Sequence, residues 1–354
     1  MSDDVRDEKV KAAIMNIASL IVGNNKDELN LIVSYFNEAV KINFSSENSN
    51  QNFAAGCVSG STFNDGKNLN TSIIVNLPLP PNNTGTPEYN WWIVDVHHEL
   101  FHAFTKILNS NQSYEKTNDN IYMAATGGKI TRFIEKDGTR VNDGDIQLSV
   151  LFNELTTDLM AYIFAYKRFF GVENVRIDKI LHSNQLEIIA NTFGYKNGYY
   201  ELLQLGLLLS EAFTNYPVNY DYIENNGKSF FNQKVDNMQY NDLFNCIMYN
   251  PLNLKNKLLD FISDEDLNKL NESASNIITN FTNNGRFVDK ENISIVMKII
   301  KNYFDQKIKK MRKQGIDEAR IKLLQSNFEE RYEYVSKYYN IENLLNINSG
   351  RSIS

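Results

Sequence analysis

The chain has 354 residues, 42% of them hydrophobic and 22% charged, with a formal net charge of -7. These are the proportions of a globular protein that can bury a core, not of a disordered chain, and the length allows one large domain or two ordinary ones. The acidic balance, with no basic stripe, argues against a nucleic-acid partner.

The first residues, MSDDVRDEKVKAAIMNIASLIVG, are mixed in charge and lack the basic leader and cleavage site of a secretory signal. Apolar residues recur at helical spacing over 5–22 and 27–42, which predicts two helices. The polar stretch Ser45 to Asn52 follows, then two strand-like runs, NFAAGCVSG and Thr71 to Leu77, the latter closed by Pro78, Pro80 and Pro81. Thr86, Pro87 and Glu88 read as cap, first-turn proline and first-turn acid of a helix reaching about Leu108. Asn109 to Asn120 is a polar loop. IYMAATGG and KITRFIEKDGTRV then suggest strands, with Asp137-Gly138 as a hairpin turn.

Asp145 or Ser149 opens the next long helix, through LSVLFNELTTDLMAYIFAYKRFF. Beyond it, helices are expected over 184–193, 199–214, 239–247, 252–262, 264–282, 289–313 and 315–340, with no fixed-period repeat. No apolar run is long enough to span a membrane. Cys57 and Cys246 are the only cysteines; they form neither a disulfide framework nor a CxxC zinc site, and both are expected to be buried thiols.

Three of the four histidines fall within VDVHHELFHAF. His98-Glu99-Leu100-Phe101-His102 fits H-E-x-x-H, which puts two imidazoles one turn apart on one helix face, where both can meet one Zn²⁺. Glu99, between them in sequence, is placed to hold a water and move its proton. The flanking apolar residues predict a buried helix, and buried imidazoles beside a buried carboxylate are costly without a cation. His97 points about 100° from His98 on the helical wheel and reads as structural or as a support to the site.

A catalytic zinc takes three protein ligands and leaves one position open. Thr105 and Leu108 exclude the extended motif with a third histidine, and His182 is the only other histidine. FNELTTDLMAY offers more: Glu154 and Asp158 lie one turn apart on an apolar helix. Glu154 could bind zinc, and Asp158 could accept the N–H of a ligand histidine. Either could instead face solvent or pair with Lys167, Arg168 or Arg132.

H-E-x-x-H followed on a later helix by N-E-x-x-x-D resembles the gluzincin zinc metallopeptidases, the thermolysin-like branch of the zincins. The resemblance covers about residues 70–165. It implies His98, His102 and Glu154 as ligands of one catalytic Zn²⁺, Glu99 as general base and Asp158 as support to a ligand histidine. It further implies an oxyanion-stabilising His or Tyr, for which His182, Tyr216, Tyr220 and Tyr222 are candidates, and a substrate-holding strand, for which Thr71–Leu77 could serve. The 52-residue interval from His102 to Glu154 is longer than in thermolysin-like enzymes, and a hairpin around Lys129–Val141 could fill it.

The expected fold class is α+β and predominantly helical: a zincin-like catalytic part with a small mixed sheet and an active-site helix, followed by a large helical part. Residues 1–50 are expected to pack as N-terminal helices on a metallopeptidase domain over 51–260, with a C-terminal helical module over 261–354. The expected function is a zinc-dependent endopeptidase acting on a protein or peptide, cytoplasmic as synthesised. A bacterial effector or toxin protease acting on a cytosolic protein, after secretion by a non-classical route or translocation into a host, is a narrower form of that reading. A zinc hydrolase of a non-peptide bond and a helical binding protein with a structural metal are the competing readings; a base at Glu99 separates catalysis from structure, because a structural site is closed by four ligands.

Overall fold

A computed structural model describes residues 3–22, 26–44, 56–64, 68–109, 115–118, 121–126, 129–169, 199–215, 234–235, 238–239, 246, 251–283 and 287–345. It is mostly helical with small sheets. Helices α1 (Asp3–Val22) and α2 (Lys26–Ala39) lead into strand β1 (Val40–Phe44), followed by β2 (Gly56–Asn64) and β3 (Asn68–Leu77). The expected second helix thus stops short, and Val40–Phe44 instead pairs with Ile73–Leu77.

The first sheet has the order β1-β3-β2, parallel on one side of β3 and antiparallel on the other. This corrects the expectation that Thr71–Leu77 offers an edge to a substrate. Residues 73–76 are paired on both sides, so in this sheet an added strand would find its long free edges on β1 and β2.

Helix α3 (Pro87–Asn109) carries the histidine motif. Thr86 starts it through an Oγ1 contact with the Tyr89 N–H, and the Trp92 indole donates to Pro78 O at 2.8 Å, tying the helix to the end of β3. Phe36 of α2 packs on Phe104 with ring centroids 4.4 Å apart. The helix is therefore buried by α1, α2 and the first sheet.

Between α3 and the next long helix lies an antiparallel meander: β4 (Glu115–Asn118), β5 (Ile121–Thr126), β6 (Lys129–Lys136) and β7 (Thr139–Asp145). The Asp137-Gly138 hairpin turn is present, both residues at positive φ (50° and 74°), as a two-residue turn between right-twisted strands requires. β4 falls where a polar loop was expected.

Helix α4 (Gln147–Phe169) begins between the two residues proposed to open it. Asp145 ends β7. The Ser149 hydroxyl accepts the Ile130 N–H, and the Leu148 N–H is satisfied from outside by Asn271 Oδ1 at 3.1 Å. A 3-10 turn (Tyr200–Leu202) and α5 (Leu203–Phe213) follow. The helix expected over 184–193 lies outside the described residues. Of the one expected over 239–247, Cys246 is helical, Gln239 instead closes a two-residue strand pair, Lys234–Val235 with Met238–Gln239 (β8 and β9), and 240–245 and 247 lie outside the described residues.

The remaining helices are α6 (Asn253–Leu259), α7 (Asp264–Asn283), α8 (Lys290–Lys313), α9 (Glu318–Tyr338) and the short α10 (Glu342–Leu345). Asp289 and Asp317 cap α8 and α9 by accepting the N–H three residues on. One buried cluster joins Leu148, Leu151, Phe152 and Leu155 of α4 to α5 and to residues as far as Ile341. Buried Lys307 donates to the Ala212 and Thr214 carbonyls at 2.9 and 2.6 Å, closing the C-terminal end of α5. No helix among the described residues is long and apolar enough to cross a membrane.

Gly206 lets α5 approach α4 closely. A Cβ there would lie 3.2 Å from Leu155 Cβ and 3.4 Å from its carbonyl oxygen. Leu155 follows Glu154, so this contact also sets where Glu154 stands. Gly206→Leu is expected to destabilise the fold by roughly 1–3 kcal/mol through overpacking. Urea denaturation checks this, and an unchanged midpoint would show that the helices do not need the approach.

Candidate metal centre

Helices α3 and α4 face each other, and the motif turns of both meet in one small space. His98 Nε2, His102 Nε2 and Glu154 Oε2 converge there: the two imidazole nitrogens are 3.0 Å apart, and the carboxylate oxygen is 3.1 Å from His102 and 3.5 Å from His98. These three form a group that could hold a metal ion. A cation bound tetrahedrally at about 2.0–2.1 Å needs donor atoms about 3.3–3.4 Å apart, and the three separations fall on either side of that spacing. The fit is also chemical, because two Nε2 atoms at 3.0 Å cannot both carry a proton between them.

The far side of each ring is also held. His98 Nδ1 lies 2.5 Å from Asp158 Oδ1, and the other Asp158 oxygen accepts the Tyr199 N–H at 2.7 Å. His98 therefore donates from Nδ1 and offers Nε2 inward. His102 Nδ1 is 3.1 Å from the Asn153 amide nitrogen and 3.4 Å from Thr157 Oγ1. The Asn153 amide oxygen is buried without a partner. A half-turn of that amide, which changes no heavy-atom position appreciably, lets the oxygen accept Nδ1–H of His102 and fixes the tautomer that presents Nε2 inward. Asn153 is thus the orienting partner of His102 as Asp158 is of His98. Asn153→Leu is expected to weaken metal affinity by about 10–100-fold, read by competition with a chromophoric chelator; full-strength binding would leave the ring held by Thr157 alone.

The charges respond to this packing. Burial pulls the His98 imidazole down, but Asp158, Glu154 and Glu99 outweigh it and hold its pKa well above the usual value. Burial dominates at His102 and takes it down to about 4 against the pull of Glu154. Burial acts to raise Glu154, yet His102, Lys129 and the imidazole hydrogen bonds hold its carboxyl well below the ordinary range. Glu99 goes the other way, to about 7, raised by burial first and partly opposed by His98, with Glu154 and Asp95 adding to the rise. Glu99 is buried beside the donor group and is not a member of it.

The residues expected to meet do meet: His98, Glu99 and His102 on α3, Glu154 and Asp158 on α4. The cation that Glu154 pairs with is Lys129, at 3.0 Å, while Arg132 pairs with Asp143. His97 is structural: its Nδ1 bonds the Ile93 carbonyl of its own helix at 2.7 Å. Cys246 is buried as expected. His182, Tyr216, Tyr220 and Tyr222 lie outside the described residues.

Lys129, Asn153 in its role at His102, and Tyr199 are additions that the sequence reading did not make. Tyr199 stacks on Phe281, and its phenol is pushed up by burial and by Glu154, Asp158 and Glu99, which places it near the same carboxylates. No protein-family model matches this chain, and neither does any curated protein or solved structure. What the centre can do is read from its own donor atoms.

Proposed function

We propose that the chain is a zinc-dependent endopeptidase of the zincin type, resembling the gluzincin branch, with His98, His102 and Glu154 as the metal-holding residues. The observation that carries this reading is the division of labour at the site: three donors converge while a fourth buried acid, Glu99, stays beside them and out of the group. A site closed for structure alone has no use for that acid. The small mixed sheet packed on the motif helix, with α4 supplying the third donor, supports the zincin-like arrangement. Two histidines and one carboxylate form a donor set used by catalytic zinc.

A zinc ion held there supplies Lewis acidity toward a substrate carbonyl and makes an attacking water more acidic. The chain's own residues do the rest. Glu99 takes a proton from the attacking water as general base and delivers it to the leaving amine nitrogen as general acid. Asp158 and Asn153 fix the two rings so that both present Nε2. The His98 side chain keeps 12% of its surface, against 8% for His102 and 10% for Glu154, so a substrate would approach from the His98 side. An extended peptide would add to an outer edge of the β1-β3-β2 sheet.

Incubating the zinc-loaded chain with a proteome-derived peptide mixture, and mapping new peptide ends by mass spectrometry, tests the reading. New ends should appear, vanish with a chelator and return with added zinc. Intact peptides throughout, with zinc bound, would turn the reading toward a non-peptide substrate.

A further inference from the structure

We propose that Lys129 is a positioning residue of the metal centre: it holds Glu154 to single-oxygen ligation and so keeps one coordination position open. This inference rests on the metal-holding role of His98, His102 and Glu154. The Glu154 carboxylate is split between two tasks. Its Oε2 faces the two imidazoles, at 3.1 and 3.5 Å, and its Oε1 meets the Lys129 ammonium at 3.0 Å. A carboxylate free on its second oxygen can swing both oxygens onto a cation and fill the position a water needs. An ammonium on Oε1 opposes that swing by charge and by hydrogen bond.

Lys129 can act this way because it is not on a loose tether. It is the first residue of β6, paired with Thr126, and its neighbour Ile130 is bonded twice to the start of α4. The Ile130 N–H donates to Ser149 Oγ at 2.9 Å and its carbonyl accepts the Ile146 N–H at 2.8 Å. Glu154 sits little more than a turn beyond Ser149 on the same helix. Strand and helix thus carry the lysine and the carboxylate as one rigid pair, the condition for a residue to hold a ligand's geometry. The meander between His102 and Glu154 thereby has a function: it brings a cation to the third ligand. Burial lowers the Lys129 ammonium, and Glu154 more than offsets it, so the charge is kept.

Co²⁺ replacing zinc reports coordination number, because four-coordinate Co²⁺ absorbs visible light far more strongly than five- or six-coordinate Co²⁺. The intact chain should show the strong four-coordinate bands. Lys129→Met should lose most of that intensity without binding Co²⁺ more weakly, because a second carboxylate oxygen joins the ion and a neighbouring cation is gone, and Lys129→Arg should restore the bands. Lys129→Gln, which keeps a donor without charge, should fall between them and carries the test if the methionine variant does not fold. Unchanged bands in Lys129→Met or Lys129→Gln would overturn the role of Lys129 and leave the metal centre standing. No bands in the intact chain would overturn the metal centre itself, and this role with it.

Discussion

Glu99→Gln is expected to keep its fold and its metal and to lose about 10²–10⁴-fold in hydrolytic rate, the usual contribution of a positioned general base. The substitution is nearly isosteric, and Glu99 is buried beside the donor group without belonging to it. Metal affinity should therefore change little, because no ligand atom is removed. What is lost is the ability to take up a proton, since an amide cannot. The folded carboxyl lies near 7, above its ordinary value, because burial disfavours its charge. Replacing it with a neutral amide removes that burial cost, so the variant should be no less stable than the parent. Denaturant midpoint, zinc content and peptide cleavage measured on the same preparation separate these effects. Full activity with zinc retained would remove Glu99 from the mechanism.

His102→Ala is expected to abolish the stabilisation that zinc confers. His102 occupies the middle of the centre, touching His98 at 3.0 Å and Glu154 at 3.1 Å. Without it, two donors remain, on different helices. At zinc about a thousandfold above the dissociation constant, a native-state site adds about 4 kcal/mol to stability. The intact chain should show a zinc-dependent rise in Tm, and the variant none. The metal-free variant tells a second thing: without the ring, buried Asn153 and Glu154 lose a polar partner, so its own Tm should fall too. A zinc-dependent rise of equal size in His102→Ala would place the ion elsewhere.

The two motif helices were legible in the sequence because their signals are local. Histidines are rare in this chain, so a pair at helical spacing with an adjacent glutamate stands out, and the apolar flanks announce burial. Glu154 and Asp158 were legible for the same reason, as two acids a turn apart on an otherwise apolar helix. β1 was not, because Val40–Phe44 continues the helical pattern of α2 and becomes a strand only by parallel pairing with a segment more than thirty residues away. The central place of β3 likewise depends on partners the chain does not announce.

The start of α4 shows the same limit. Asp145 and Ser149 both have the side chains of a cap, yet Asn271 serves the Leu148 N–H from 123 residues on. Lys129 looked like an ordinary strand lysine after a glycine pair. Its pairing with Glu154 exists only because the meander folds β6 against α4. Tyr199 reaches the centre by a backbone bond to Asp158, which no side-chain pattern reveals.

The most direct measurement is the zinc content of the folded chain after equilibration with zinc and removal of the excess, for the intact protein and for His98→Ala, His102→Ala and Glu154→Ala. One ion per intact chain, with loss of stoichiometric zinc in each variant, is the predicted result. No retained ion in the intact protein, or the same content in all four, would contradict a metal centre built from these three residues.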